Sequence, residues 1–90
     1  MTRLKNWDAK TLKNFLKDYG FSECETKGSH MHMVGKIDGE DRIVQVIFSH
    51  KERDCQSNKT MRMAVKHSGI KQEYFEEWKA TRKIHNELIS

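Results

Sequence analysis

Apolar residues recur at Leu12, Phe15, Leu16 and Tyr19, the i, i+3, i+4, i+7 spacing of an amphipathic helix. Asp8 precedes this stripe as a predicted N-cap and Gly20 follows it as a stop, so a first helix is expected over 8–19. The period then shortens. Residues 21–26 read as a short strand, and Gly28-Ser29 as a turn into a second strand over 30–36. Alternate strand residues share a face, which puts His30, His32 and Val34 on one side and Met31 and Met33 on the other. Asp38-Gly39 is a strong hairpin signal. The returning strand, 42–48, is rich in β-branched residues. Val44, Val46 and Phe48 would face the helices with Met31 and Met33, leaving Ile43 and Ile47 on the opposite face.

A polar loop over 49–57 leads to Asn58, the predicted N-cap of a second helix. Its inward stripe is Met61, Ala64, Val65 and Ser68, and Gly69 ends it. A third helix is expected over 72–88, with Phe75, Trp78 and Leu88 as apolar contacts. Its acids Glu73, Glu76 and Glu77 come early, and Arg82, Lys83 and His85 come late, as the macrodipole favours. The fold class is therefore α+β, in the order α-β-β-β-α-α: a three-stranded antiparallel sheet with helices on one face.

Ninety residues suffice for one hydrophobic core. Seventeen basic against thirteen acidic side chains give a net charge of +4, and their distribution says more than their sum. Arg3, Lys5, Lys10, Lys13 and Lys17 crowd the first twenty residues, and Lys51, Arg53, Lys59, Arg62 and Lys66 occupy 49–67. Acids gather instead in 38–41 and 73–77. A charge field polarised in this way orients a protein on a polyanion and makes binding salt-sensitive. Cys24 and Cys55 lie far apart and form no C-x-x-C pair, so both are expected as reduced thiols. No apolar signal-peptide core occurs in 1–20 and no run is long enough to span a membrane. A soluble cytoplasmic protein is expected.

The segments KGSHMHMV (27–34), RIVQVIFSHK (42–51), KTMRMAVKHSGI (59–70) and EYF (73–75), set behind a helix and Gly20-Phe21, resemble the HicA toxins. The resemblance covers residues 8–75, with 76–90 as a C-terminal helical extension. It implies a double-stranded-RNA-binding-domain-like fold and a metal-independent mRNA endonuclease whose catalytic histidine lies in the Gly-Ser-His segment. It also implies a HicB-like antitoxin that covers this surface. Carried over, His30 is the catalytic candidate, with Gly28 and Ser29 as its positioning turn.

The residues suit that chemistry. RNA supplies its own nucleophile, the 2′-hydroxyl. Cleavage then needs a base for its proton, an acid for the leaving 5′-oxygen, and cations for charge on phosphorus. An unperturbed histidine, with a pKa of about 6.5, populates both forms near neutrality. His30 is assigned as general acid or base, with Lys27 and Lys51 as charge stabilisers. Lys59 and Arg62 would hold the backbone near the start of the second helix. His32 and His50 are candidates for RNA contact or proton transfer. His67 and His85 read as helix-surface residues. A His-x-His pair can seed a metal site, but such sites need three or four convergent ligands, so neither metal nor cofactor is assigned. Trp7, Trp78 and Tyr74 could stack on bases, although packing is their ordinary use. Two other classes compete: a non-catalytic RNA-binding module, and an interaction protein that docks through the third helix and the Ile43/Ile47 face. In the latter, the C-terminal helix would support a homo-oligomer.

Overall fold

A computed structural model describes residues 4, 6–48 and 56–89. Helix α1 spans Ala9–Asp18. Asp8 caps it, its Oδ1 accepting the Thr11 N–H at 2.7 Å, and hydrogen bonding from the Thr11 hydroxyl, then from that N–H, holds the Asp8 carboxyl below its ordinary pKa. Leu12, Phe15 and Leu16 are buried, as the helical period requires.

Strands β1 (Ser22–Lys27), β2 (His30–Ile37) and β3 (Glu40–Ile47) form one antiparallel sheet in that order. Asp38 and Gly39, both at positive φ (55° and 77°), make the tight β2–β3 turn that Asp-Gly favours. Met31 pairs with Val46 and Met33 with Val44, and all four are buried beneath the helices. Edge strand β1 is exposed along its whole length and carries a bulge between Glu23 and Glu25. Such an edge, charged and locally kinked, resists further strand pairing. Lys13 of α1 reaches Glu23 at 2.8 Å and holds its carboxyl below the usual range.

Helix α2 spans Asn58–Ser68. Its N-cap is Ser57, one residue earlier than expected, because the Ser57 Oγ accepts the Thr60 N–H at 3.1 Å. Met61, Ala64 and Ser68 are buried and Val65 packs beside them. Gly69 ends the helix at φ 73°. A Cβ there would sit 2.8 Å from the Arg42 guanidinium. The guanidinium thus lies against the negative end of the α2 dipole.

The third helix corrects the expected 72–88: α3 stops at Thr81. Beyond Trp78 a continued helix would present Arg82 and His85 where apolar residues are needed. Thr81 Oγ1 bonds back to the Glu77 carbonyl at 2.9 Å, and Arg82 turns the chain at φ 62°. The remaining segment folds back through a 3₁₀ turn, Asn86–Leu88. The Asp38 N–H bonds to the Leu88 carbonyl at 2.9 Å, and Ile89 bridges to Ile37. Ile84, Leu88 and Ile89 pack on the same core as everything before them.

An aromatic cluster sits within that core. Phe15 and Phe75 rings lie 4.1 Å apart, and Trp7 stacks on Trp78 at 5.8 Å. Each aromatic pair adds about 0.5–1.5 kcal/mol to the area it buries.

Candidate functional site

His30 opens β2 immediately after the Gly28-Ser29 turn, and its side chain is exposed. Gly28 sits at φ 59°, and the Ser29 carbonyl accepts the Phe48 N–H at 2.6 Å. The turn between β1 and β2 is thereby tied to the end of β3. His30 pairs with Lys27 across one ladder and with Ile47 across the other. Lys27 is exposed beside it, 3.5 Å from the Glu25 carboxylate.

The face of the sheet away from the helices carries His30, His32, Val34 and Lys36 from β2. Opposite them stand Ile47, Gln45, Ile43 and Asp41 of β3. His32 is half-buried, between Glu25 and Gln45, and Ile43 is largely exposed. Gln45 is the member that sequence reasoning overlooked: its side-chain amide hydrogen-bonds with Nδ1 of His30. The signal was available, because period-2 alternation puts Gln45 on the histidine face, diagonally across from His30.

Lys59 and Arg62 are exposed in the first turns of α2. They share an end of the molecule with His30, not a face. Gln56 fixes this: its side-chain amide pairs with both the N–H (3.1 Å) and the carbonyl (2.7 Å) of Ile47, the partner of His30. Its own N–H bonds to the Trp7 carbonyl at 2.7 Å, which brings the start of α1 to the same end. The N-termini of α1 and α2, the positive ends of their dipoles, therefore gather near the Gly28-Ser29 turn. The acidic group Asp38, Glu40 and Asp41 lies at the far end of β2, about 23 Å away for an eight-residue strand. His50 and Lys51, like Cys55, lie outside the described residues.

Other candidates are placed elsewhere. Trp7 and Trp78 are buried in the core and offer no base-stacking surface. Tyr74 stacks on His85, so His85 is not the plain helix-surface residue expected of it; His67 is exposed on α2. Cys24 is a free, exposed thiol at the β1 bulge. Among the described residues no group of three His, Cys, Asp or Glu side chains converges as a metal site requires, and no helix is long and apolar enough to cross a membrane.

Comparison with known proteins finds no family model, curated protein or solved structure that matches the chain.

Proposed function

We propose that this protein is a metal-independent endoribonuclease acting through His30, the toxin of a cytoplasmic toxin–antitoxin pair of the HicA kind. The observation that carries the reading is the exposed imidazole of His30 at the end of the molecule where Lys27, Lys59, Arg62 and two helix N-termini gather. A phosphodiester drawn to that end meets a proton-transfer group beside positive charge, while the acidic Asp38–Asp41 end repels it. Lys27 would offset charge on the phosphorane, and Ser29 would offer a hydroxyl to the backbone. Lys59 and Arg62 would hold flanking phosphates. His32, two residues along the same face, is a further RNA contact. A HicB-like antitoxin would silence the enzyme by covering the His30 face.

The test is cleavage of single-stranded RNA by the purified protein in the presence of a chelator, with and without His30→Ala. Cut strands with wild type and none with a folded mutant are expected. Cleavage retained by the folded mutant removes His30 from the chemistry. Salt-dependent binding without cleavage by wild type replaces the enzyme with a non-catalytic RNA-binding module, which uses the same charged end.

A further inference from the structure

We propose that the free edge of β3 is a strand-addition site for a second copy of this chain, paired antiparallel about a two-fold axis at Ile43. Such a pair goes beyond the nuclease reading and does not rest on it. The two edges of the sheet differ. β1 is bulged and carries Glu23, Glu25 and Lys27, whereas β3 pairs with β2 without a register shift from Glu40 to Ile47. Both the N–H and the carbonyl of Ile47 bond to the Gln56 side chain, so they point away from β2. That direction alternates along an antiparallel strand, so the backbone groups of Gln45, Ile43 and Asp41 point outward too. Among the described residues, no backbone–backbone bond ties any of these three to a segment outside the sheet. Gln56 thus takes the place of a neighbouring strand at Ile47, and the edge lies open from Gln45 to Asp41. An unpaired, unbulged edge is a template for another strand. Ile43, at its middle, is 57% exposed. The other large apolar side chain left exposed among the described residues, Met63, lies on α2, which packs over β3.

A second copy fits this edge in one register. Centred on Ile43, the pairing sets Ile43 against the partner's Ile43 and Asp41 against the partner's Gln45. Two three-stranded sheets then become one continuous sheet. Its central row runs through Val34 and Ile43 to the partner's Ile43 and the partner's Val34, apolar throughout. The flanking row reads Glu25, His32, Gln45, then the partner's Asp41 and the partner's Lys36. Acid and base alternate along it on either side of the amide, as cross-strand pairs favour. Moving the axis toward the β2–β3 turn opposes Arg42, and then Asp41, to its own copy, and like charges directly opposite are unfavourable. Moving it the other way requires the backbone groups of Ile47, which Gln56 holds. Main-chain bonds supply the affinity of an added strand, and a two-fold joint closes at two copies. The His30 face stays open in the pair, and the two basic ends point in opposite directions.

The experiment is sedimentation equilibrium of the full chain over a wide range of concentrations, for wild type and Ile43→Lys, together with oxidative cross-linking. In a Cys24→Ser, Cys55→Ser background, Ile43→Cys puts two thiols on a hydrogen-bonded pair about 5.5 Å apart at Cα, within reach of a disulfide. Val34→Cys, one strand inward on each copy, leaves its thiols about 14 Å apart, at three strand spacings. Wild type is expected to sediment at twice the chain mass and to dissociate on dilution. Ile43→Lys, with an unchanged circular dichroism spectrum, should keep the mass of one chain throughout. Ile43→Cys should convert to a linked dimer and Val34→Cys should not. Wild type that stays monomeric at every concentration overturns the proposal. Dimers retained by Ile43→Lys place the contact elsewhere and overturn it as well. If that variant fails to fold, the cross-linking decides: no link through Ile43→Cys, or an equal link through Val34→Cys, rejects edge-to-edge pairing.

Discussion

The imidazole of His85 lies flat on the ring of Tyr74, with centroids 3.7 Å apart and planes 12° from parallel. Glu77 stands 3.4 Å from its Nε2, Glu87 stands 3.3 Å from its Nδ1, and its backbone N–H donates to the Tyr19 hydroxyl at 3.1 Å. One side chain therefore pins the returning C-terminal segment to α3, while its backbone ties that segment to the end of α1. Burial pushes the Tyr19 phenol above its usual value, which keeps it a neutral partner for that N–H.

The pH dependence of this clasp follows from its carboxylates. The hydrogen bond from His85 is the leading cause that holds Glu77 below its ordinary value of 4.5, and its own backbone N–H does the same for Glu87. A depressed carboxylate contributes stability that is present above its unfolded value and lost as pH falls through the folded one. Glu77→Gln should thus melt below wild type near neutrality and converge with it once pH has fallen through the lowered Glu77 value. Thermal melts across that range provide the check. A gap of constant size at every pH would show that Glu77 acts by packing and not by charge.

Removing residues 82–90 should uncover Ile37, Tyr19 and Trp78, because Ile84, Leu88 and Ile89 pack over the core and Arg82 lies 4.1 Å above the Trp78 ring. The apolar surface returned to water corresponds to a loss of about 2–4 kcal/mol. Urea unfolding of the shortened chain measures it. An unchanged midpoint would show that the segment contributes nothing to the core.

What was legible in the chain was periodic. The stripe of Leu12, Phe15 and Leu16, and the alternation that buries Met31, Met33, Val44 and Val46, needed only the helix and strand repeats. Asp38-Gly39 and Gly69 announced themselves because few residues hold positive φ. The end of α3 was only half legible. Arg82 and His85 break the apolar stripe after Trp78, but the contacts that draw the chain back, to the β2–β3 turn and over the Trp78 ring, are tertiary. His85 was misjudged with it, since its partners become neighbours only after that turn. In the site, the exposure of His30 was legible from its strand start; its bond to Gln45 depended on the β2–β3 register.

Gly69→Ala tests the seat of Arg42. The left-handed φ of 73° alone costs a side chain about 1–2 kcal/mol. The new methyl would also displace a guanidinium that comes within 2.8 Å, so the expected loss is about 2–3 kcal/mol. In an Arg42→Ala background only the backbone part should remain. Chemical denaturation of the four proteins of this double-mutant cycle reads the difference. Equal losses in both backgrounds would mean that Arg42 moves aside freely.

Lys59 and Arg62 lie at the end of the molecule that holds His30, and Lys36 lies toward the acidic end, opposite Asp41. If RNA is held at the basic end, its affinity should fall with salt through contacts made there and not along the whole open face. For single strands each phosphate contact contributes about 0.7 to the slope of log K against log salt. Lys59→Ala with Arg62→Ala should therefore flatten the slope by about 1.4, whereas Lys36→Ala should leave it unchanged. Titrations of a labelled single-stranded RNA over a range of salt concentrations measure both. A slope reduced by Lys36→Ala but untouched by the double variant would move the backbone track from the α2 end to the far half of the sheet. His30 would then lie beyond the bound strand, since β2 separates the two ends by about 23 Å.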